Sequence, residues 1–201
     1  MATTRSQAAA DKRRLILDAA VLTFASRGFH ACRVADIADQ AGVAYGLVYH
    51  YFASKDEVLD TLFLERWTVM LERIREVDAQ EIPAREKLAA IASFIVESYR
   101  RDPDLMKVII VEVTRAANSF GARHMTEISE AYVLIAKIVA KAQEDGSFRP
   151  QVAPQFAALA FYGAIEQVLT GWIFGVLEQG DHEFEQAKHY IVETICGGLD
   201  A

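Results

Sequence analysis

From Leu15 onward, apolar positions recur at helical spacing, and no stretch alternates with period two for long enough to demand a strand. Leu15, Ile16, Ala19, Ala20, Leu22, Phe24 and Phe29 mark an amphipathic helix stopped by Gly28. Val34, Ile37, Ala38 and Ala41 predict a second, short helix closed by Gly42, and Val43, Val48 and Phe52 supply the buried side of a third. That third element spans barely two turns, too few to be stable alone, so neighbouring helices must hold it. Ser54 and Glu57 stand in S-x-x-E relation ahead of Val58, Leu59 and Leu62, a capping box that opens a long helix over 55–77. Proline and glycine then punctuate the rest: Pro83 before 84–101, Asp102 and Pro103 before 105–117, Gly121 before 123–144, Pro154 before 156–177, and Gly180 and Asp181 before 183–196. The pattern predicts an all-α chain of nine helices, with a small three-helix domain over 1–54 and a larger helical domain over 55–201.

Residues 33–55, RVADIADQAGVAYGLVYHYFASK, carry the sharpest signal. Two short helices joined at a tight glycine turn are the pattern of a helix-turn-helix that reads DNA. Burying Val43, Val48 and Phe52 leaves Tyr45, Gly46, Tyr49, His50 and Tyr51 on the outer face of the second helix.

The stretch 13–62 resembles the DNA-binding domain of the TetR family of bacterial transcriptional regulators. The motifs that carry the resemblance are ILDAA over 16–20, FASRGF over 24–29, DIADQAGV over 36–43 and GLVYHYF over 46–52, followed by Lys55. It implies that Tyr49 and Lys55 contact phosphates and that Tyr45, Gly46 and His50 touch base edges. The chain departs from the family at Arg33, Ala44 and Leu47, where hydroxyl residues are common, so those hydroxyl contacts do not carry over. Arg33 instead offers a charged phosphate contact, and Ala44 is counted among the DNA-binding positions. A first helix over Arg13 and Arg14 and a polar, Ala-rich arm over 1–10 without periodicity complete the expected reading head, the arm being expected to be disordered in the free protein.

Charge supports the same division. Net charge is −7 overall, yet residues 1–55 hold seven Lys/Arg against four Asp/Glu while the remainder holds fourteen against twenty-four. A polyanion is therefore drawn to the N-terminal part and repelled by the rest.

The larger domain is expected to bind a ligand and to dimerise. With 201 residues, 52% of them apolar, the chain can bury a second core. The near-uncharged stretch 150–177 is interrupted by glycine and glutamine, which argues for a buried helix and against a membrane partner. Gly163, Gly171 and Gly175 fall on nearly one face of it, and with Phe184, Ile191 and Ile195 of the last helix they are the candidate dimer interface. Dimerisation suits the short reading helix, since two copies fixed about 34 Å apart read a palindromic operator on double-stranded DNA.

A cavity for a small lipophilic effector is expected among Trp67, Met70, Leu71, Phe94, Tyr99, Met106, Ile110, Val113, Met125, Ile128, Tyr132 and Trp172, with Arg115, Arg123 and His124 near its charged end. VEVTR over 111–115 and FYGAIEQVLTGWIFG over 161–175 are similar to the subgroup of the family that represses fatty-acid degradation genes, which implies a long-chain acyl-CoA effector.

Enzymatic chemistry finds little support. The two cysteines, 164 positions apart, form no metal or redox motif, and no catalytic triad, phosphate loop or dinucleotide fingerprint is present. His182, Glu185 and His189 share one face of the last helix and read as solvated polar residues, so no metal and no cofactor is expected. No signal peptide is visible, and a cytoplasmic protein is expected. The alternative is a helical ligand-binding or enzymatic protein that keeps the helix-turn-helix as scaffold only; binding to a palindromic duplex with steep salt dependence separates the two.

Overall fold

The computed structural model describes residues 2–114 and 123–200, with side chains described over 7–112 and 123–200. Among these residues are nine α-helices and no strand: α1 (Ala2–Arg27), α2 (Val34–Ala41), α3 (Tyr45–Tyr51), α4 (Lys55–Asp78), α5 (Ala84–Arg101), α6 (Pro103–Val108), α7 (Met125–Glu144), α8 (Pro154–Ile173) and α9 (Asp181–Gly197). A π-helical turn, Ile109–Thr114, continues α6. The described chain forms two compact units, one of residues up to Arg66 with those from Asp104 through the π turn, the other of residues 67–103 with α7 to α9. The line between them falls inside α4.

In the first unit, α1 lies against α2 and α2 against α3. Ile16, Ala20, Phe24, Ile37, Val48, Phe52, Val58 and Phe63 are buried there, at the apolar positions of the sequence pattern. Gly42 ends α2 with φ +64°, a left-handed conformation that places the N–H groups of Gly42 and Val43 on Asp39 O and Ala38 O. The turn between the two short helices is therefore locked by backbone bonds. Ser54 Oγ accepts from Glu57 N–H at 3.1 Å, and Glu57 reaches back to the N–H of Ala53 at 2.6 Å, so α4 begins as the capping box predicts, with the return bond one residue earlier.

Two elements differ from the sequence pattern. The expected disordered arm is helical, α1 starting at Ala2; alanines over 8–10 favour helix, and Gln7 bonds Asp11 one turn on at 2.9 Å. The helix expected over 105–117 stops at Val108 and widens into the π turn, where three β-branched residues in succession, Ile109 to Val111, crowd an α-helical turn.

In the second unit, α8 lies against α7 and α9 against both α5 and α8. Leu88, Ile91, Ile135, Ile138, Phe161, Ile165 and Leu169 fill the core. Ion pairs tie α5 to α9: Lys188 to Glu97 at 2.5 Å, Arg100 to Asp181 at 2.6 Å and Arg85 to Glu193 at 3.3 Å. Helix α8 is long and apolar enough to cross a membrane, but one side of it is buried inside this unit at Ala158, Phe161, Ile165 and Leu169.

Candidate nucleic-acid interface and effector region

Helix α3 has one buried residue, Val48, and turns Ala44, Tyr45, Gly46, Tyr49 and His50 outward. Tyr45 and Tyr49, one turn apart, meet edge to face with centroids 5.1 Å apart, and their hydroxyls are 3.1 Å apart. That shared hydrogen bond holds the Tyr49 phenol above its ordinary pKa, so it stays a neutral donor. His50 packs against Tyr51, which is half-buried. Ala44 occupies the N-cap of α3 and offers no capping oxygen.

Arg33 is exposed at the start of α2 and cannot cap it, since guanidinium accepts no hydrogen bond. Asp36 does the work instead: its carboxylate accepts from Arg33 N–H at 2.7 Å and from Arg27 at 2.6 Å. The Arg33 amide and the Arg27 guanidinium hold the Asp36 carboxyl below the usual carboxylate range.

Lys55 is used otherwise than the sequence pattern implies. Its Nζ donates to Phe29 O at 2.6 Å, Cys32 O at 2.9 Å and His30 O at 3.4 Å, and lies 4.4 Å from the Phe29 ring centroid. An ammonium has three hydrogens, and here all are directed at the α1–α2 connection, so in this conformation Lys55 fastens that loop instead of reaching for phosphate.

The residues expected to line an effector cavity separate into groups. Trp67, Tyr132 and Tyr162 come together edge to face, with Tyr162 centroids 6.2 Å from Trp67 and 5.4 Å from Tyr132. Trp67 Nε1 donates to Glu127 O at 2.7 Å, tying α4 to the first turn of α7. Glu127 Oε2 is buried without a hydrogen-bond partner among the described residues, 4.0 Å from Nδ1 of the buried His124. Burial, and next the nearby Glu166 carboxylate, hold the Tyr132 hydroxyl above its ordinary value. Met70 and Leu71 are buried in α4 and Ile128 is half-buried in α7. Tyr162, Glu127 and Glu166 were not among the expected lining residues; Tyr162 and Glu166, one turn apart on a nearly uncharged helix, were the available signal.

Other candidates lie elsewhere. Tyr99 stacks on Trp172 at 5.4 Å and both meet Phe184, while the Tyr99 hydroxyl bonds Gln179 and Trp172 Nε1 donates to Glu178 O. These two rings are structural core, fully occupied by their own chain. Phe94 lines an outer groove of about 390 Å³ with Arg73 and Arg101. Met125 and Arg123 are exposed. Met106 and Ile110 are buried within the stretch that belongs to the first unit. Arg115 and the side chain of Val113 lie outside the described residues.

The expected dimer residues are likewise redistributed. Phe184 and Ile191 are buried against their own chain, and Ile195 is half-buried. Gly175 is left-handed, φ +67°, and ends α8 at Ile173 rather than near Leu177, sending the N–H groups of Val176 and Leu177 back to Gly171 O. Leu177 thereby covers Gly171, where a Cβ would come within 2.8 Å of it, so the close approach there is made by the same chain. Gly163 opens on no neighbour. The apolar residues left outward are Phe156 (67% exposed) and Leu159 (52%) on α8 and Tyr190 (56%) on α9.

With this geometry in place, comparison with known proteins decides the family. Residues 16–62 match the family described as bacterial regulatory proteins, tetR family, and residues 63–195 match the C-terminal region of YsiA-like proteins. The chain belongs to the TetR family. It is a DNA-binding transcriptional regulator of that family, whose members engage operators as dimers. A Bacillus subtilis (strain 168) protein named fatty acid metabolism regulator protein is 29% identical over 92% of this chain and 93% of its own length. A transcriptional repressor, KstR2 of Rhodococcus jostii (strain RHA1), is 27% identical over 73% of this chain and 72% of its own. The solved structure of the B. subtilis regulator FadR in complex with stearoyl-CoA superposes with a TM-score of 0.81 at 25% identity, covering 92% of this chain and 98% of that one.

Proposed function

We propose that this TetR-family regulator is a cytoplasmic repressor without catalytic activity, which holds a palindromic operator as a homodimer and releases it on binding a long-chain acyl-CoA. The observation that carries the effector class is the near full-length similarity to the fatty acid metabolism regulator, together with the shared fold of the stearoyl-CoA complex. Arg33, Tyr49 and His50 are the exposed groups offered to DNA, with Lys55 as the residue that fastens the α1–α2 connection ahead of Arg33. The aromatic group of buried Trp67 and half-buried Tyr132 and Tyr162 is the proposed lining nearest the polar part of the effector, where Glu127 Oε2 accepts a hydrogen bond from an amide N–H of the ligand. Burial raises both thiols, Cys196 to about 11, so neither cysteine is offered as a nucleophile at neutral pH.

Titration of acyl-CoAs of graded length against a labelled complex with a duplex selected from a random pool tests the proposal. Each buried methylene is worth about 0.8 kcal/mol, so four of them change the releasing concentration by roughly two orders of magnitude. A response independent of chain length removes the acyl chain as the recognised feature. Release also requires the ligand to favour the conformation that does not hold DNA, since equal affinity for both states shifts nothing.

A further inference from the structure

Helix α5 buries one stripe, Leu88, Ile91, Ala92, Ile95, Val96 and Tyr99, and Phe94 is the one large apolar side chain of the helix that falls outside it. It stands half-buried on the polar side of α5. There it lines a groove of about 390 Å³ against α4, with Ala90 and Ser93 beside it, Arg73 on the α4 wall, and Glu97 and Arg101 further along α5. That volume suits a group the size of one nucleotide.

The groove offers positive charge although the chain beyond residue 55 is strongly acidic. Its one carboxylate, Glu97, is already held by Lys188 at 2.5 Å and by Arg100 at 3.7 Å. The Lys188 bond, with Arg100 and Arg101 nearby, keeps the Glu97 carboxyl below its ordinary range, so it does not oppose an anion. Arg101 is exposed in the last turn of α5 and makes no hydrogen bond or ion pair among the described residues. Arg73 meets Glu76 at 3.3 Å in a largely solvated pair one turn apart, a contact that a doubly charged anion displaces readily. Two guanidiniums and a hydroxyl beside an aromatic ring are the donors and the platform that a purine nucleotide requires: a guanidinium fork matches phosphate, and the face of a base stacks on a ring.

We propose that this groove between α4 and α5 binds the nucleotide end of the effector, with the purine stacked on Phe94 and the phosphates held by Arg73 and Arg101. The inference rests on the acyl-CoA reading and extends it to the head group. Trp67 belongs to the aromatic lining assigned to the middle of the ligand, and Arg73 lies six residues further along α4, about 9 Å by the helical rise. The pantetheine arm, with its two amides, spans that distance. A free purine nucleotide carries the same chemistry as the head of CoA, so the test separates the two sources.

Stearoyl-CoA and S-stearoylpantetheine, which keeps the chain and the arm but lacks the nucleotide, are titrated against the labelled duplex complex, and binding of the adenosine bisphosphate that ends CoA is measured directly by calorimetry. The wild-type protein should respond to stearoyl-CoA at a concentration at least about tenfold lower, and Arg101→Ala should lose that difference without a change in melting temperature. Phe94→Leu keeps an apolar side chain and removes the ring, so it should weaken stearoyl-CoA and the adenosine bisphosphate alike, by about tenfold, and leave stearoylpantetheine unaffected. Equal response of the wild-type protein to the two acyl compounds overturns the inference, as does wild-type affinity of both variants for the adenosine bisphosphate. If neither acyl compound releases the duplex, the acyl-CoA reading fails; adenosine bisphosphate bound by the wild-type protein and lost in Arg101→Ala then assigns the groove to a free nucleotide and overturns CoA as the source.

Discussion

The carboxylate of Glu112 accepts a hydrogen bond from the backbone N–H of Phe29 at 3.1 Å, joining residues 83 positions apart in the chain. Gly28 has just ended α1 in a left-handed turn, so the Phe29 amide has no helical carbonyl to bond. From the same stretch of chain, Lys107 Nζ donates to Ala25 O at 2.7 Å and satisfies a carbonyl of the last turn of α1. The π turn and α6 thus cap the end of the helix on which α2 rests.

Removing that cap should loosen the reading head. Glu112→Ala leaves a half-buried amide unpaired and should cost about 1 to 2 kcal/mol, read as a lower melting temperature, whereas Glu112→Gln keeps an acceptor and recovers most of it. Equal melting of the two variants would mean that the carboxylate does not hold the amide.

Lys55→Met should destabilise by about 1 to 3 kcal/mol, since carbonyls of Phe29 and Cys32 lose their donor in a half-buried setting. The slope of log affinity against log salt should be unchanged for the folded variant, because the ammonium is engaged within the chain. A slope reduced by about 1 would show that Lys55 leaves its carbonyls to neutralise a phosphate.

The outward positions of α8 and the inward ones of α9 should respond differently. Leu159→Arg, on the exposed face with Phe156, should give a folded monomer by sedimentation with weakened operator binding. Phe184→Ala, which empties the space beside Tyr99 and Trp172, should instead cost about 3 to 5 kcal/mol of the fold itself.

Acid should act through Asp36. Its folded pKa lies below the ordinary carboxylate value, so its contribution to stability is present above that value and is lost as pH falls through the depressed one. Asp36→Asn should remove that part of the acid dependence of melting while leaving the dependence of the remaining carboxylates.

Much of this protein is legible in the order of its residues. Helical spacing of Ile16, Phe24, Ile37 and Val48, a glycine at 42 and the box of Ser54 and Glu57 determine the helix-turn-helix, because each rests on contacts within one or two turns. The aromatic outer face of α3 follows from the same count of positions. Which partner a side chain takes across the fold is not written in its neighbours. Lys55 stands where the resemblance implies a phosphate contact, yet three carbonyls from 23 to 26 residues upstream take its hydrogens in the free chain. Tyr99, Trp172 and Phe184 look like cavity and interface residues because periodicity cannot tell a core aromatic from a lining one; only the packing of α5, α8 and α9 does. The same limit hid the cover of Leu177 over Gly171 and the bond from Glu112 to Phe29, since local pattern sets which groups need partners and tertiary structure decides which partners they find.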